Sequence, residues 1–363
     1  MHGEQLGFGS GRLIAKGLNQ IERASLLHSK LGRFKRPRVY SLDCSRFDQH
    51  VEKELLRVEH EFYLSIIPDE RFAELLSWQL ENRGRTNGGI MYHTRGKRMS
   101  GDMNTALGNC VLMCLLVKCI ADRLHFTGDI LDDGDDCLLI VEDGTDLTGL
   151  SDTFLLYGME IKLENETTDF QRVAFCQSKP VWDGVGWKFV RDPLKVIGFG
   201  VTAIRNVQHP GAQRKLIYTM GQAELALDIG VPVLQEYATM LMRCAGTNQT
   251  LDLDDDGLLF RMRRECRTIG PLSKLQPRPI TAEARVAFAV SWGIEPWEQV
   301  LIEEGFRRQK TFEVYENSCR LNWVKWTLNK CWQLGLTFLK TLRCGTTTTC
   351  TPPPEPFHQA FRT

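Results

Sequence analysis

The chain has 363 residues, 42% apolar and 25% charged, which fits a globular protein and excludes a disordered or fibrous one. Forty-five Lys and Arg balance 45 Asp and Glu, so a globally basic nucleic-acid binder is excluded and only local basic patches could contact phosphate. The 12 cysteines form no C-x2-C pair and lie mostly singly in apolar runs, which argues against zinc or a disulfide framework and fits reduced thiols in an intracellular protein.

Residues 1–38 begin Gly-rich (GFGSG) and become basic through Arg12, Lys16, Arg23 and Lys30. RVYSLDCS (38–45) alternates and predicts a strand with Val39, Ser41 and Asp43 on one face. A helix should start near Asp48, where Val51, Leu55, Val58, Phe62 and Ile66 recur at three to four residues, and end before Pro68. A second helix is expected over 69–82, then an Arg- and Gly-rich loop over 82–101, then a long apolar helix from Thr105 to about Leu124. No signal peptide and no apolar run of about 18 residues is visible; the best candidate, Val111 to Ala121, is broken by Lys118. Asp133-Gly134 between apolar runs predicts a hairpin with Cys137 to Val141 as return strand. A helix over 147–159, a short strand in MEIKLE, and strands in RVAFCQSKPVW and GWKFVRD follow. Beyond residue 195 the pattern is helical, near 211–228, 231–244, 281–293 and 296–307. The Thr- and Pro-rich tail should be unfolded.

The stretch ILDDGDDCLLI places Asp132, Asp133, Asp135 and Asp136 around Gly134. Such crowding is repulsive, and burial would raise the carboxyl pKa values. A short acidic turn is by itself more often a solvated loop. Two other segments give it context. DCSRFD carries Asp43 and Asp48 at a strand end, although Asp48 could equally cap a helix. SGDMNTALGN puts Ser100 and Gly101 in a loop and Thr105 and Asn109 one turn apart on a helix face, again open to a capping explanation. Facing carboxylates make sense with divalent cations between them, because Mg²⁺ takes oxygen ligands and two such ions can stabilise both oxygens of a phosphoryl displacement. A second acidic stretch, LDLDDDG, starts like a calcium loop, but its twelfth position is Arg263 and not Glu, so it reads as a solvated turn.

Taken in order, DCSRFDQHV, SGDMNTALGN, DDGDDCLLI, GMEIKLE and FCQSKPVW resemble motifs A to E of viral RNA-dependent RNA polymerases, closest to the tombusvirus and carmovirus group. KGLNQIERA, GVPVLQ and EARVAFAVSWGIEPWEQ are similar to other segments of that group, so the resemblance covers about 12–310. It implies an α+β right-hand polymerase fold with an antiparallel-sheet palm, a helical thumb and truncated fingers. By this resemblance residues 1–38 would be a remnant of the fingers, 39–191 the palm with a fingers insertion at 68–98, 192–335 the thumb and 336–363 a flexible tail. It implies template-directed RNA synthesis from ribonucleoside triphosphates with two Mg²⁺ or Mn²⁺ ions. Asp43 and Asp135 would hold the metals with Asp136 assisting, and Lys162 would be a general acid for the leaving pyrophosphate. The ribose 2′-OH would be checked by Asp48 and Asn109, helped by Ser100, Gly101 and Thr105. Phe175, Cys176 and Gln177 would shape the turn gripping the primer strand. A solvated strand-edge role explains Lys162 nearly as well.

The implied partners are an RNA template and nascent strand, nucleotides and other viral replication proteins, at membrane-associated replication complexes in the host cytoplasm. Basic clusters at Arg83, Arg85, Arg95, Lys97 and Arg98, and at Arg261, Arg263, Arg264 and Arg267, could track template phosphates or be solvated surface. Two departures stand out. The group usually has asparagines before GDD, where this chain has Asp132 and Asp133, and Asp133→Asn is expected to retain activity. Only 42 residues precede Asp43, so the long basic fingers region and the upstream membrane anchor of the group are not visible. The expectation is therefore a partial product, or one reading frame of a longer one. The alternative function is an RNA-binding but catalytically incompetent partial polymerase that needs its upstream fingers segment.

Overall fold

The structure, a computed structural model, describes residues 9, 11–200, 202–203, 209–250, 274–311, 313–316 and 324–327. The first helix, α1 (Gln20–Leu31), starts at a capping box in which Asn19 and Glu22 satisfy each other's backbone N–H groups. It leads to β1 (Pro37–Cys44), a short α2 (Phe47–His50), α3 (Lys53–Ile66), α4 (Glu70–Ser77), β2 (Glu81–Arg85) and β3 (Met91–Arg95). Then come α5 (Thr105–Leu124), β4 (Asp129–Asp132), β5 (Asp136–Glu142), α6 (Leu150–Leu156), β6 (Ile161–Thr167), β7 (Ser178–Trp182) and β8 (Trp187–Arg191). The remainder is α7 (Pro193–Phe199), β9 (Thr202–Ala203), α8 (Pro210–Asp228), α9 (Leu234–Cys244), α10 (Ala282–Trp292), α11 (Pro296–Arg308), β10 (Glu313–Glu316) and β11 (Val324–Thr327).

The central sheet has the order β4-β5-β1-β6, and every neighbouring pair is antiparallel. Helix α5 covers one face, where Leu112, Met113, Leu116 and Ile120 pack with Leu42, Ile130, Leu139, Val141 and Phe154. On the other face Ala24 and Leu27 of α1 pack with Val39, Leu131, Leu138 and Ile140. Burial on both faces explains why β5 reads as an unbroken apolar run and does not alternate. A second core joins the β7–β8 hairpin to the later helices through Val181, Val190, Leu234, Tyr237, Phe288 and Phe306. The mixed helix and antiparallel-sheet class agrees with the α+β expectation.

Helix α5 is the one described helix long and apolar enough to cross a membrane. More than half of it is buried, and its Leu112, Met113 and Ile120 lie in the core, which accounts for the apolar composition.

Three local expectations need correction. The helix expected from Asp48 is split, because the chain is extended at Val51 between α2 and α3. The stripe that suggested it is also not the buried one: Val58, Phe62 and Ile66 are exposed, while Leu56, Glu59, His60 and Tyr63 face inward. Polar pairing described below turns that face in. The segment 82–101 is not all loop, since β2 and β3 form a hairpin with Arg83 opposite His93 and Arg85 opposite Met91. Finally, RVAF is not strand. Its first residue, Arg172, ends a 3-10 turn at Phe170–Arg172, and β7 starts only at Ser178. The acidic stretch at 252–257, the arginines from 261 to 267 and the tail at 336–363 lie outside the described residues.

Candidate active site

Asp43 is directly opposite Asp136 on β5 and Lys162 on β6. Directly paired residues of a sheet point to the same face, so the three side chains form a row across three strands. Gly134, at φ +105°, and Asp135 make the turn between β4 and β5, which Asp133 closes by donating its N–H to the Asp136 carbonyl at 2.9 Å. The positive φ is one that glycine adopts without a Cβ clash. Asp135 stands at the tip of this turn and lines a cavity of about 590 Å³ together with Lys16, Asp48, Ser100, Thr105 and Asn109.

Asp43, Asp135, Asp136 and Lys162 are all exposed, and no ion pair engages any of them among the described residues. Desolvation, and repulsion from Asp135, Asp133 and Asp43, raise the Asp136 carboxyl above its ordinary value. No three or more His, Cys, Asp or Glu side chains of the described residues close into a metal cage. Acceptor-only carboxylates facing an open cleft nevertheless suit a hard cation that keeps waters or phosphates in its shell.

The far wall of the cavity is a chain of polar contacts. Asp48 is not a helix cap: α2 is capped at Arg46 and α3 at Glu52. Its carboxylate accepts from the Ser100 hydroxyl and, at 2.7 Å, from Nδ2 of Asn109. The carbonyl of Asn109 accepts from Nε of Arg98 at 3.1 Å, which sets the orientation of the amide. Arg98 in turn forms an ion pair with Glu59 of α3, and both side chains are fully buried. Asn104 Nδ2 adds a hydrogen bond to Glu59 at 2.8 Å. Gly108 leaves the necessary space, since a Cβ there would lie 2.2 Å from Glu59 Oε1 and 2.5 Å from Arg98 Nη2.

Arg98 is therefore not part of a phosphate-tracking surface, as the sequence reading allowed; it is an internal support for Asn109. Glu59 was not foreseen at all. Thr105 lines the cavity while its hydroxyl donates to the Met99 carbonyl at 2.9 Å, tying down the loop that carries Ser100. Gly101 lies in that loop, exposed and outside the cavity wall.

The two extra acids of the turn have separate roles. Asp133 pairs with Lys16 at 2.8 Å and with Arg23 at 2.7 Å, and Lys16 also donates to its carbonyl at 2.7 Å. Burial works against its charge, yet the two cations outweigh it and hold the carboxyl below the usual range. The Cys176 thiol also donates to Asp133, at 3.3 Å. Asp132 is completely buried, and its carboxylate accepts from the Gly134 N–H at 3.2 Å. Burial pushes its pKa up to about 7, against the Cys110 thiol and that N–H. Lys16 and Arg23 were visible in the sequence as members of a basic N-terminal run and of the segment KGLNQIERA that is similar to the group; nothing local marked them as partners of a residue more than 100 positions away.

Phe175, Cys176 and Gln177 form a tight turn, but their side chains diverge. The Phe175 and Ser178 backbones exchange hydrogen bonds of 2.9 and 3.0 Å around Cys176 and Gln177, whose φ values are +49° and +56°. Positive φ at both positions is the primed hairpin geometry, and it is unusual without glycine or asparagine. Phe175 is buried against Phe189 under the Arg23 guanidinium, and Gln177 accepts from Lys195 at 2.9 Å.

An acidic turn at the end of an antiparallel sheet, beside a pocket walled by a carboxylate and a carboxamide, gathers oxygen ligands of the kind a hard divalent cation takes next to groups that can both donate and accept hydrogen bonds. The family model of the viral RNA dependent RNA polymerases matches residues 8–313, and the chain belongs to that family. It is 33% identical over 322 residues to the RNA-directed RNA polymerase of Panicum mosaic virus, covering 87% of this chain and 31% of that protein. It is 33% identical over 301 residues to that of Tobacco necrosis virus (strain A), covering 80% of this chain and 40% of that protein. With the polymerase of Carnation mottle virus it shares 31% over 335 residues, 89% of this chain and 42% of the relative. The chain thus spans between a third and two fifths, roughly, of the length of these relatives.

Proposed function

We propose that this chain carries the catalytic site of a template-directed RNA polymerase that extends RNA from ribonucleoside triphosphates. The observation that carries the reading is the placement of Asp43, Asp136 and the Asp135 turn beside the Asp48–Asn109 pair. In this reading Asp43 and Asp135 hold Mg²⁺ or Mn²⁺, with Asp136 assisting. Bound there, the cations would stabilise the attacking and leaving oxygens of an in-line displacement. The 3′-OH of the nascent strand loses its proton to solvent as its oxygen bonds the α-phosphorus, the α–β phosphoanhydride bond breaks, and pyrophosphate leaves. Lys162, in the same row as Asp43, donates a proton to the leaving group. Asp48 accepts from the ribose 2′-OH and the remaining N–H of Asn109 donates to it, which suits a group that is both donor and acceptor.

The arrangement is best described as a right hand. The sheet of β1 and β4–β6 with α5 and α6 serves as palm, within 39–191. Helices α7–α11 contribute the thumb, within 192–335, and segments 1–38 and 68–98 contribute to the fingers. The β7–β8 hairpin and the 176–177 turn form the primer-facing edge.

The test is incorporation of labelled ribonucleotide on an RNA template with Mg²⁺ or Mn²⁺. Asp135→Ala and Asp43→Ala should reduce incorporation at least 1,000-fold, on the order expected when charge stabilisation at the reacting phosphate is lost. Equal incorporation by wild type and Asp135→Ala would refute the assignment.

A further inference from the structure

We propose that Asp228 and Glu224 of α8 share one proton beneath Arg191 and together position the 176–177 turn; the consequence for the nascent strand rests on the polymerase reading above. Asp228 is fully buried at the C-terminal end of α8, where the helix dipole disfavours a negative charge, and Glu224 is buried one turn earlier. Arg191, the last residue of β8, pairs with Glu224 and lies 3.7 Å from Asp228. Among the described residues no donor reaches either carboxylate oxygen of Asp228, and the buried Tyr237 hydroxyl of α9 is likewise unmatched. The next cation, Lys188, is taken by Asp183 at 2.8 Å and by the Ile229 carbonyl at 2.9 Å. Two carboxylates thus face one guanidinium, and like charges sharing a desolvated site cannot both ionise. The two carboxyls lie within hydrogen-bonding reach of each other, so a proton held by either joins them. Burial is the main cause that raises the Asp228 carboxyl; Arg191 opposes it and Glu224 adds to it.

Arg191 carries the state of this pair to the hairpin. It stands opposite Ser178, whose backbone closes the 176–177 turn by its exchange with Phe175. The next residue, Asp192, donates its N–H to the Gln177 carbonyl at 3.3 Å and accepts from the Leu194 N–H at 2.9 Å to start α7. One side chain therefore ties α8 to the strand that bears the turn. With the proton in place, a single negative charge balances Arg191 and the strand stays docked on α8. Loss of the proton leaves a second buried charge, which is relieved when the end of α8 and β8 part and water enters; the turn moves with β8. Arg191 is half-buried, which gives the proton a route to solvent.

The experiment compares the full chain with Asp228→Asn and Glu224→Gln from about pH 6 to about pH 9, a range that spans the titration of a raised carboxyl. The infrared band of protonated carboxyl groups should include, in wild type, a component that disappears as pH rises and is missing from both variants. Either amide leaves Arg191 one carboxylate to balance and supplies the remaining acid with a donor, and Asp132 contributes alike to all three proteins. Affinity for RNA with a recessed 3′ end, measured without metal or nucleotide, should fall about tenfold in wild type over this range and stay nearly flat in either variant. Tenfold corresponds to a one-unit difference in proton affinity between free and bound protein. Asp228→Asn/Glu224→Gln strands Arg191 and should melt below both single variants. An infrared component that survives in both single variants would overturn the inference, as would the same pH dependence of binding in all three folded proteins. Asp135→Ala separates the two readings: if it synthesises RNA as wild type does, the catalytic assignment fails while the infrared result stands.

Discussion

Asn109 donates from Nδ2 to Asp48 at 2.7 Å while its carbonyl accepts from Arg98 at 3.1 Å, so one carboxamide links the cavity wall to a buried ion pair. Asn109→Ala should leave Asp48 with Ser100 as its one remaining partner in this wall and the Nε donor of Arg98 unpaired. The preference for ribonucleotides over deoxyribonucleotides, measured as the ratio of kcat/KM values, should fall about 10- to 100-fold, the loss of one or two hydrogen bonds to the 2′-OH. An unchanged ratio would remove Asn109 from sugar selection.

The Arg98–Glu59 pair predicts an asymmetric stability cost. Arg98→Met strands a buried carboxylate and should destabilise the fold by about 3–5 kcal/mol, whereas Arg98→Met/Glu59→Leu should recover much of that. Urea unfolding of the three proteins makes the comparison, and equal losses in the single and double variants would contradict it. Gly108→Ala should resemble Arg98→Met, since its methyl would enter the same space.

Asp132 should make stability depend on pH. Folded, it keeps its proton up to about 7, compared with an ordinary value of 3.8 in the unfolded chain. Between those values the folded state binds more protons, so this residue's contribution falls as pH rises across the window and levels off above it. Asp132→Asn, with its side-chain carbonyl still able to accept from Gly134, removes that fall. The variant should gain about 1–3 kcal/mol relative to wild type at pH 8 and little at pH 4. Asp228, also buried and raised to about 7, shifts both proteins alike and cancels in the difference. A difference independent of pH would disprove the assignment.

For Asp133, Asn is expected to keep RNA synthesis within several-fold of wild type, as the sequence suggested, because its carbonyl still accepts from one cation. Asp133→Ala should do more harm, removing the carboxylate that Lys16 and Arg23 share beside the Asp135 turn, at about 1–3 kcal/mol of stability. Parallel melting and incorporation assays distinguish these outcomes; a harmless Ala variant would show that the pairing is incidental.

If Lys162 supplies the leaving-group proton, Lys162→Leu should slow incorporation about 100-fold or more and flatten the basic limb of the pH–rate profile. Lys162→Arg should keep part of the rate. A Leu variant with the wild-type profile would leave Lys162 as a solvated strand residue.

Local pattern was enough for much of this protein. Alternation marked β1, and the Asp-Gly pair marked the β4–β5 turn. Sustained apolar content marked α5, and the ordered acidic and amide motifs marked the family. These signals are local because each depends on residues a few positions apart. The face of α3 could not be read in the same way. Val58, Phe62 and Ile66 have the right period for a core stripe, yet Glu59 is the residue turned inward, because Arg98 arrives from 39 positions later. The same limit applied to the four aspartates. In sequence they are one acidic cluster; in the fold they divide. Asp135 lines the cavity, Asp136 stands exposed beside Asp43, Asp133 meets two cations from the N-terminal segment, and Asp132 is enclosed with its proton favoured. Charge crowding is a property of the chain, but its neutralisation depends on which distant groups the tertiary packing brings within a few ångströms.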